Sequence, residues 1–220
     1  MAPMCERMME ECNGEFSSRE LLLIYIVPTK ALVNDIYKRL ENKLARLNIT
    51  SASKTGDVNN FKINHPQNLL FTTPESCDSL LSRHPKILKK IKFVVMDELH
   101  FLDNNFRGDQ LRILLKRIAK ISDNTNGLNY YAMSATINEP SEMCERYFEN
   151  YEIIISKGSR KIVFATIDAD NNFNELKKIK KIFMDQKINR AIFFCNSRKK
   201  TIKITAKLKE IFGRDDRIFE

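Results

Sequence analysis

Asp97-Glu98-Leu99-His100 directly follows the apolar run Phe93-Val94-Val95-Met96. Two neighbouring carboxylates at the end of a buried strand repel each other unless a cation lies close by. Magnesium suits such a place, because it prefers oxygen ligands, keeps several waters and bridges phosphate groups. An aspartate there can hold Mg²⁺, and the glutamate after it can polarise a water for attack on a terminal phosphate. Read alone, the tetrapeptide is also a turn of solvated acids before a helix. For an isolated D-E-x-H that plainer reading wins.

It does not stand alone. Pro28-Thr29-Lys30 follows the run Leu21–Val27, Thr72-Thr73-Pro74-Glu75 closes the run that begins at Leu69, and Ser134-Ala135-Thr136 closes Asn129–Met133. Each apolar run has the length and continuity of a strand buried on both faces. Strands are therefore expected over 21–27, 69–73, 93–96, 129–133 and 152–155. Helices are expected over 1–12, from Thr29 to about 47, 74–81, 109–121 and 141–148. Alternation at these lengths predicts an α/β fold with a mainly parallel sheet. Ligands of such sheets sit outside the carboxyl ends of the strands, where the polar clusters of this sequence fall. Thr29 and Thr73 lie at predicted helix starts. Backbone amides there favour phosphate, although a threonine is also a common cap, and the two roles are compatible.

After Lys157-Gly158-Ser159-Arg160 the chain changes character. A strand over 162–167, an acidic link (Asp168 to Asn172), a basic helix over 173–187, a strand over 191–195 and a helix over 198–211 are expected. We place a domain boundary there, with 1–157 as a first domain and 158–220 as the start of a second. The chain has 220 residues, 37 Lys and Arg and 28 Asp and Glu, for a net charge of +9. Residues 157–220 hold 17 bases and 8 acids, and the first 156 residues are balanced. Phosphate backbones suit such a surface, as does an ordinary lysine-rich solvated face. The basic helix carries Phe173, Leu176, Ile179 and Phe183 on one side, which an amphipathic docking helix explains equally well. No run approaches a membrane span, so none is expected, and the N-terminal stretch does not read as a secretory signal. Five scattered cysteines without a C-x-x-C pair read as free thiols of a cytoplasmic protein, and a zinc site is not expected.

Taken in order, PTKALVND, TGD, TTPES, DELH and SAT resemble the superfamily-two DExH/DEAD-box helicases, closest to the large helicase-related (Lhr-like) branch. The stretch MDELHFLDNNFRGDQL adds to the resemblance, because that branch often carries an Arg-Gly pair after this motif, here Arg107-Gly108. The resemblance implies a RecA-like three-layer fold, a nearly complete first motor domain and the beginning of a second. It implies ATP and Mg²⁺ as cofactors and single-stranded DNA or RNA as partner. Asp97 and Glu98 would hold Mg²⁺ and position the attacking water. His100 would link the nucleotide site to Ser134 and Thr136, which would couple nucleotide state to domain movement. Pro28, Thr29, Lys30, Thr72, Thr73, Pro74 and Glu75 would lie along the nucleic-acid strand. Gly56 of Thr55-Gly56-Asp57 would let backbone approach a phosphate. Asn196, Ser197 and Arg198 resemble the first strand-end motif of the second motor domain.

None of the six glycines begins G-x-x-x-x-G-K-[ST], so the loop that cradles the β- and γ-phosphates is absent from these 220 residues. No arginine finger is identifiable either. The expectation is a helicase fragment, inactive by itself, whose partners would be a phosphate-loop segment and the remainder of the second motor domain. Loss of an interior strand would leave neighbours with unpaired backbone groups, making the isolated chain marginal or aggregation-prone. Two other readings stay open at this point: a non-catalytic nucleic-acid-binding remnant or half of a split enzyme, and an unrelated phosphate-handling α/β enzyme.

Overall fold

The computed structural model describes residues 2–12, 16, 19–103, 105–125, 127–135, 139–156, 173–188 and 190–213. The chain divides into two compact units, Met1–Ile155 and Ser156–Glu220, and each is described by itself.

The first unit is built on five parallel strands: β1 (Leu23–Ile26), β2 (Ser51–Lys54), β3 (Leu69–Thr72), β4 (Phe93–Met96) and β5 (Asn129–Ala132), in the spatial order β2-β3-β1-β4-β5. β3, β1 and β4 are wholly buried, as their continuous apolar sequences require. Ile26 lies beside both Thr72 and Met96, Lys54 beside Thr72, and Met96 beside Ala132. All five strands therefore end at one edge of the sheet.

Side-chain alternation along the strands sorts the core into two clusters. Leu23, Tyr25, Val27, Leu69, Phe71, Phe93 and Val95 pack with Met4 and Met8 of α1 (Ala2–Glu11) and with Val33, Ile36 and Leu44 of α2 (Lys30–Ala45). Ile24, Ile26, Leu70, Val94 and Met96 face the other way. They meet Leu80 and Leu81 of α3 (Pro74–Arg83), the Leu111, Leu114, Leu115 and Ile118 stripe of α4 (Phe106–Ile121), and Met143 of α5 (Pro140–Tyr147). The result is helices on both faces of a parallel sheet, the expected three layers.

β2 is a strand the sequence did not announce. Ser-Ala-Ser-Lys lacks the apolar run that marks its neighbours, because β2 is an edge strand with only Ala52 and Ser53 buried. It is fixed by hydrogen bonds from outside the ladder. Asn60 Oδ1 accepts from Ser53 N at 2.6 Å, and Asn68 Oδ1 accepts from the Thr50 amide and hydroxyl at 3.1 and 2.7 Å. The return of residues 58–60 along β2 covers part of its free edge.

Helix α4 starts at Phe106, three residues before the expected Asp109, because Asn105 caps it by accepting from Arg107 N at 2.9 Å. Two further expectations are corrected. Residues 152–155 and 191–195 are not strands. Short apolar runs become strands only where a neighbour supplies backbone partners, and among the described residues neither run has one. Ile154 is 87% exposed and Phe194 is 92% exposed. The expected strand over 162–167 and the acidic link after it lie outside the described residues.

The second unit contains α6 (Phe173–Asp185) and α7 (Arg198–Phe212), which pack on each other. The Phe183 ring lies 6.0 Å from Phe212 and 6.2 Å from Phe193, and Lys180 donates to the Ile211 carbonyl at 2.6 Å. Among the described residues no helix is long and apolar enough to cross a membrane.

Candidate active site

The carboxyl edge of the sheet gathers most of the sequence-predicted residues. At the end of β4 the Asp97 amide donates to Ile26 O at 2.9 Å, which fixes the aspartate to the neighbouring strand β1. Its carboxylate is held from two sides. Oδ2 accepts from the Tyr25 hydroxyl at 2.8 Å, and Oδ1 accepts from the Glu98 amide at 2.9 Å. Sequence reasoning missed Tyr25. The signal was present, however: a phenol inside an otherwise apolar strand needs a buried partner for its hydroxyl. Burial first, and then the bond to Asp97, raise the Tyr25 pKa well above the usual phenol range, so it remains a neutral donor.

Glu98 takes a left-handed backbone conformation, φ 51° and ψ 42°, which turns the chain sharply off the strand. Two hydrogen bonds hold the turn. Leu99 N donates to Met133 O at 3.1 Å, and Met133 N donates to Met96 O at 2.8 Å. The wholly buried Leu99 side chain anchors it in the core. The turn therefore brings the DELH and SAT segments together. His100 Nδ1 and Ser134 Oγ are 2.8 Å apart, and the same ring nitrogen lies 3.4 Å from Glu98 Oε2. The second contact is not aligned as a hydrogen bond, so Oε2 is a buried oxygen with no hydrogen-bond partner. The imidazole also packs on Phe101, with ring centroids 4.3 Å apart. Thr136 lies outside the described residues.

This donor set fits a metal held jointly with phosphate rather than a closed protein cage. Asp97 presents a fixed, half-buried carboxylate, and Glu98 beside it has an oxygen with spare lone pairs. Among the described residues no three His, Cys, Asp or Glu side chains converge as a metal-binding group. Mg²⁺ needs only one or two carboxylates when a triphosphate and waters complete its shell.

Farther along the edge, PTK and TGD meet. Lys30 Nζ pairs with Asp57 Oδ1 at 2.8 Å. A Cβ on Gly56 would lie 3.2 Å from that ammonium, so the glycine leaves room for the lysine. The buried Thr55 hydroxyl accepts from Asp57 N and Val58 N and sets the turn. Thr29 and Thr73 are both helix caps, accepting from Leu32 N at 3.3 Å and Ser76 N at 3.4 Å. Thr72 donates its hydroxyl to Lys54 O at 2.8 Å. Thr29, Lys30, Gly56 and Glu75 are exposed, whereas Pro28, Thr72, Thr73 and Pro74 are buried. Arg107 joins two of these segments, donating to Glu75 Oε1 and to the Pro28 carbonyl, each at 2.7 Å.

Gly108 is required by close packing. A Cβ there would stand 2.6 Å from the Leu102 carbonyl oxygen and 3.0 Å from the Tyr147 hydroxyl. Behind it, buried Asp103 pairs with Arg146 and lies 3.9 Å from Arg112, tying α4 and α5 to the turn after DELH. In the second unit, Asn196, Ser197 and Arg198 are exposed at the start of α7, with Ser197 accepting from Lys200 N at 3.3 Å.

Comparison with known proteins agrees with this arrangement. Hel308, an ATP-dependent DNA helicase of Methanocaldococcus jannaschii, is 26% identical over 211 residues, covering 89% of this chain and 17% of its own length. The ATP-dependent helicase Lhr-Core of Methanothermobacter thermautotrophicus is 33% identical over 157 residues, covering 63% of this chain and 18% of its own. This chain thus spans less than a fifth of either relative. Among solved structures, Mycobacterium smegmatis Lhr bound to single-stranded DNA and AMP-PNP superposes with a TM-score of 0.70 over 89% of this chain and 29% of that one. At 24% identity, that likeness speaks to the fold alone, which is the RecA-like fold of helicase domains. The DEAD/DEAH box helicase family model matches residues 1–144, nearly two thirds of the sequence. With its strand-end motifs assembled on one edge of a parallel sheet, the chain belongs to the DEAD/DEAH box helicase family, near its Lhr branch.

Proposed function

We propose that this chain supplies the magnesium-binding and strand-gripping parts of an ATP-dependent DNA or RNA helicase, and that by itself it does not turn over ATP. The single observation that carries this reading is the His100 imidazole between Glu98 Oε2 at 3.4 Å and Ser134 Oγ at 2.8 Å. It ties the carboxylate turn to the segment after β5, on the edge where ligands of such sheets sit.

Asp97 would hold Mg²⁺ through its carboxylate, with its orientation kept by Tyr25 and by the Glu98 amide. Bound there with ATP, the ion would neutralise charge developing on the phosphates. Glu98 would orient a water through the exposed part of its carboxylate, the side chain being 33% exposed. His100 and Ser134 would sense whether that water and phosphate are in place, and Thr136 would share the role. A single strand would cross the rim formed by Thr29, Lys30, Gly56 and Glu75. Pro28, Thr72, Thr73 and Pro74, being buried, would shape that rim and offer it backbone groups only. Asn196, Ser197 and Arg198 of the second unit would contact nucleic acid in their own right, with 1–157 and 158–220 as two domains.

ATP hydrolysis further requires a phosphate-binding loop, which these 220 residues do not contain. The test is an ATPase assay of the purified chain with and without single-stranded DNA or RNA, repeated with a phosphate-loop segment supplied. The expected result is no turnover alone, restored turnover with the segment, and weak single-strand binding that falls steeply with salt. Robust hydrolysis by the chain alone, or binding indifferent to salt, refutes the reading.

The Lys30–Asp57 pair offers a second check. Both side chains are more than half exposed, so the pair itself stabilises the fold little. Asp57 nevertheless places a negative charge on the rim and occupies the lysine. Asp57→Asn is expected to tighten single-strand binding about two- to five-fold at low salt, an effect of the size of one exposed charge interaction. Fluorescence anisotropy across a salt series measures it, and weaker binding by the variant contradicts the assignment of Lys30.

A further inference from the structure

We propose that Arg107 is a positioning residue for nucleic-acid binding, whose guanidinium masks the Glu75 carboxylate and fixes it to the chain entering α2. This inference rests on the functional reading above, in which a single strand crosses that rim.

Three observations lead to it. Glu75 occupies the first turn of α3, where backbone amides and the helix dipole favour an anion, yet its own carboxylate stands there instead of a phosphate. Its side chain is 48% exposed, so an uncompensated charge would face any strand crossing the rim. Arg107 Nε lies 2.7 Å from Glu75 Oε1 and Nη2 lies 2.7 Å from the Pro28 carbonyl, with only 27% of the arginine side chain exposed. The guanidinium is thus turned inward and engaged on two edges, which suits a brace better than a free phosphate ligand.

The electrostatics agree. Burial alone would push the Glu75 carboxyl up. The Arg107 bond, the Glu75 amide, the Arg107 charge and the Thr73 hydroxyl together outweigh it and hold the group below the usual range. Arg107 is placed by the Asn105 cap, which accepts from its amide at 2.9 Å. Gly108 lets the start of α4 approach the Leu102 carbonyl, where any larger residue would collide. The Arg-Gly pair therefore works as one device: the glycine seats the helix, and the arginine reaches across to α2 and α3.

A two-residue mutant cycle tests this with the 220-residue chain and a fluorescein-labelled oligothymidylate of about 20 nucleotides, by anisotropy at low salt. Arg107→Ala exposes the Glu75 charge and is expected to weaken binding about tenfold. Glu75→Gln in the Arg107→Ala background is expected to recover binding to within about twofold of wild type. Arg107→Lys restores only part of it, because an ammonium cannot span both acceptors in the same fork. Thermal melts of every variant accompany the titrations, and Arg107→Gln replaces the alanine variant if that one does not fold. Equal losses in Arg107→Ala and in the double variant overturn the proposal and make Arg107 a direct phosphate ligand or a purely structural residue. No loss in Arg107→Ala overturns it as well. Failure of the wild-type chain to bind at all strikes the underlying functional reading instead, which keeps the two failures distinguishable.

Discussion

Glu98→Gln, assayed in a chain joined to a phosphate-binding loop, is expected to reduce kcat for ATP hydrolysis by about 10²- to 10⁴-fold, the usual contribution of a positioned general base. The substitution keeps the side-chain shape and the left-handed turn, and it removes the negative charge and one of the two acceptor oxygens that would polarise water. Nucleotide affinity should change little, because the magnesium-facing role is assigned to Asp97, whose carboxylate is separately held by Tyr25 and the Glu98 amide. Rapid-quench turnover beside equilibrium binding of a fluorescent ATP analogue separates the two quantities. If kcat is unchanged, Glu98 is not the water-orienting group. If affinity and turnover fall together, the residue supports the fold of the turn rather than the chemistry.

Phe71→Ala is the second large effect, this time on stability. Phe71 is wholly buried in β3, with β2 on one side and β1 on the other. Its ring lies 5.3 Å from Tyr25 and 6.1 Å from Tyr37. Truncating a buried phenylalanine costs about 3–5 kcal/mol through lost transfer energy and the cavity left behind. Domains of this size are stable by only about 5–15 kcal/mol, so a large share of the total would go. Urea denaturation followed by circular dichroism reads the shift in midpoint. A change under about 1 kcal/mol would mean that the cluster on this face repacks freely, contrary to its burial. Because Tyr25 rests on Phe71 and holds Asp97, surviving folded protein should also show a loosened carboxylate.

Much of this architecture was legible because burial leaves a plain mark on sequence. Strands covered on both faces must be apolar throughout, which made β1, β3 and β4 readable, and each ends in a polar cluster that parallel topology places on one edge. β2 escaped because an edge strand needs little apolar surface and was secured by Asn60 and Asn68 from elsewhere in the chain. The runs at 152–155 and 191–195 misled for the opposite reason. Their composition suits a strand, but composition does not supply a neighbour. At the site, DELH and Ser134 were named from motif order, and their meeting through His100 is geometric. The tie from Tyr25 to Asp97, and the reach of Arg107 to Pro28 and Glu75, join residues 72, 79 and 32 positions apart. A phenol in an apolar strand signals that Tyr25 needs a partner, but no local pattern names the partner, because such pairings exist only once the strands are laid side by side.

The left-handed turn at Glu98 also bears on which residues this position can accept. The conformation is costly for side chains branched at Cβ and tolerable for glycine or asparagine. Backbone shape therefore filters the alternatives before reactivity does. In a saturation library of the chain joined to a phosphate-binding loop, valine and isoleucine here would lower stability by about 1–2 kcal/mol, whereas glycine would leave a well-formed protein without the water-orienting carboxylate. Loss of function at this codon would accordingly have two separate origins, told apart by measuring soluble yield beside turnover.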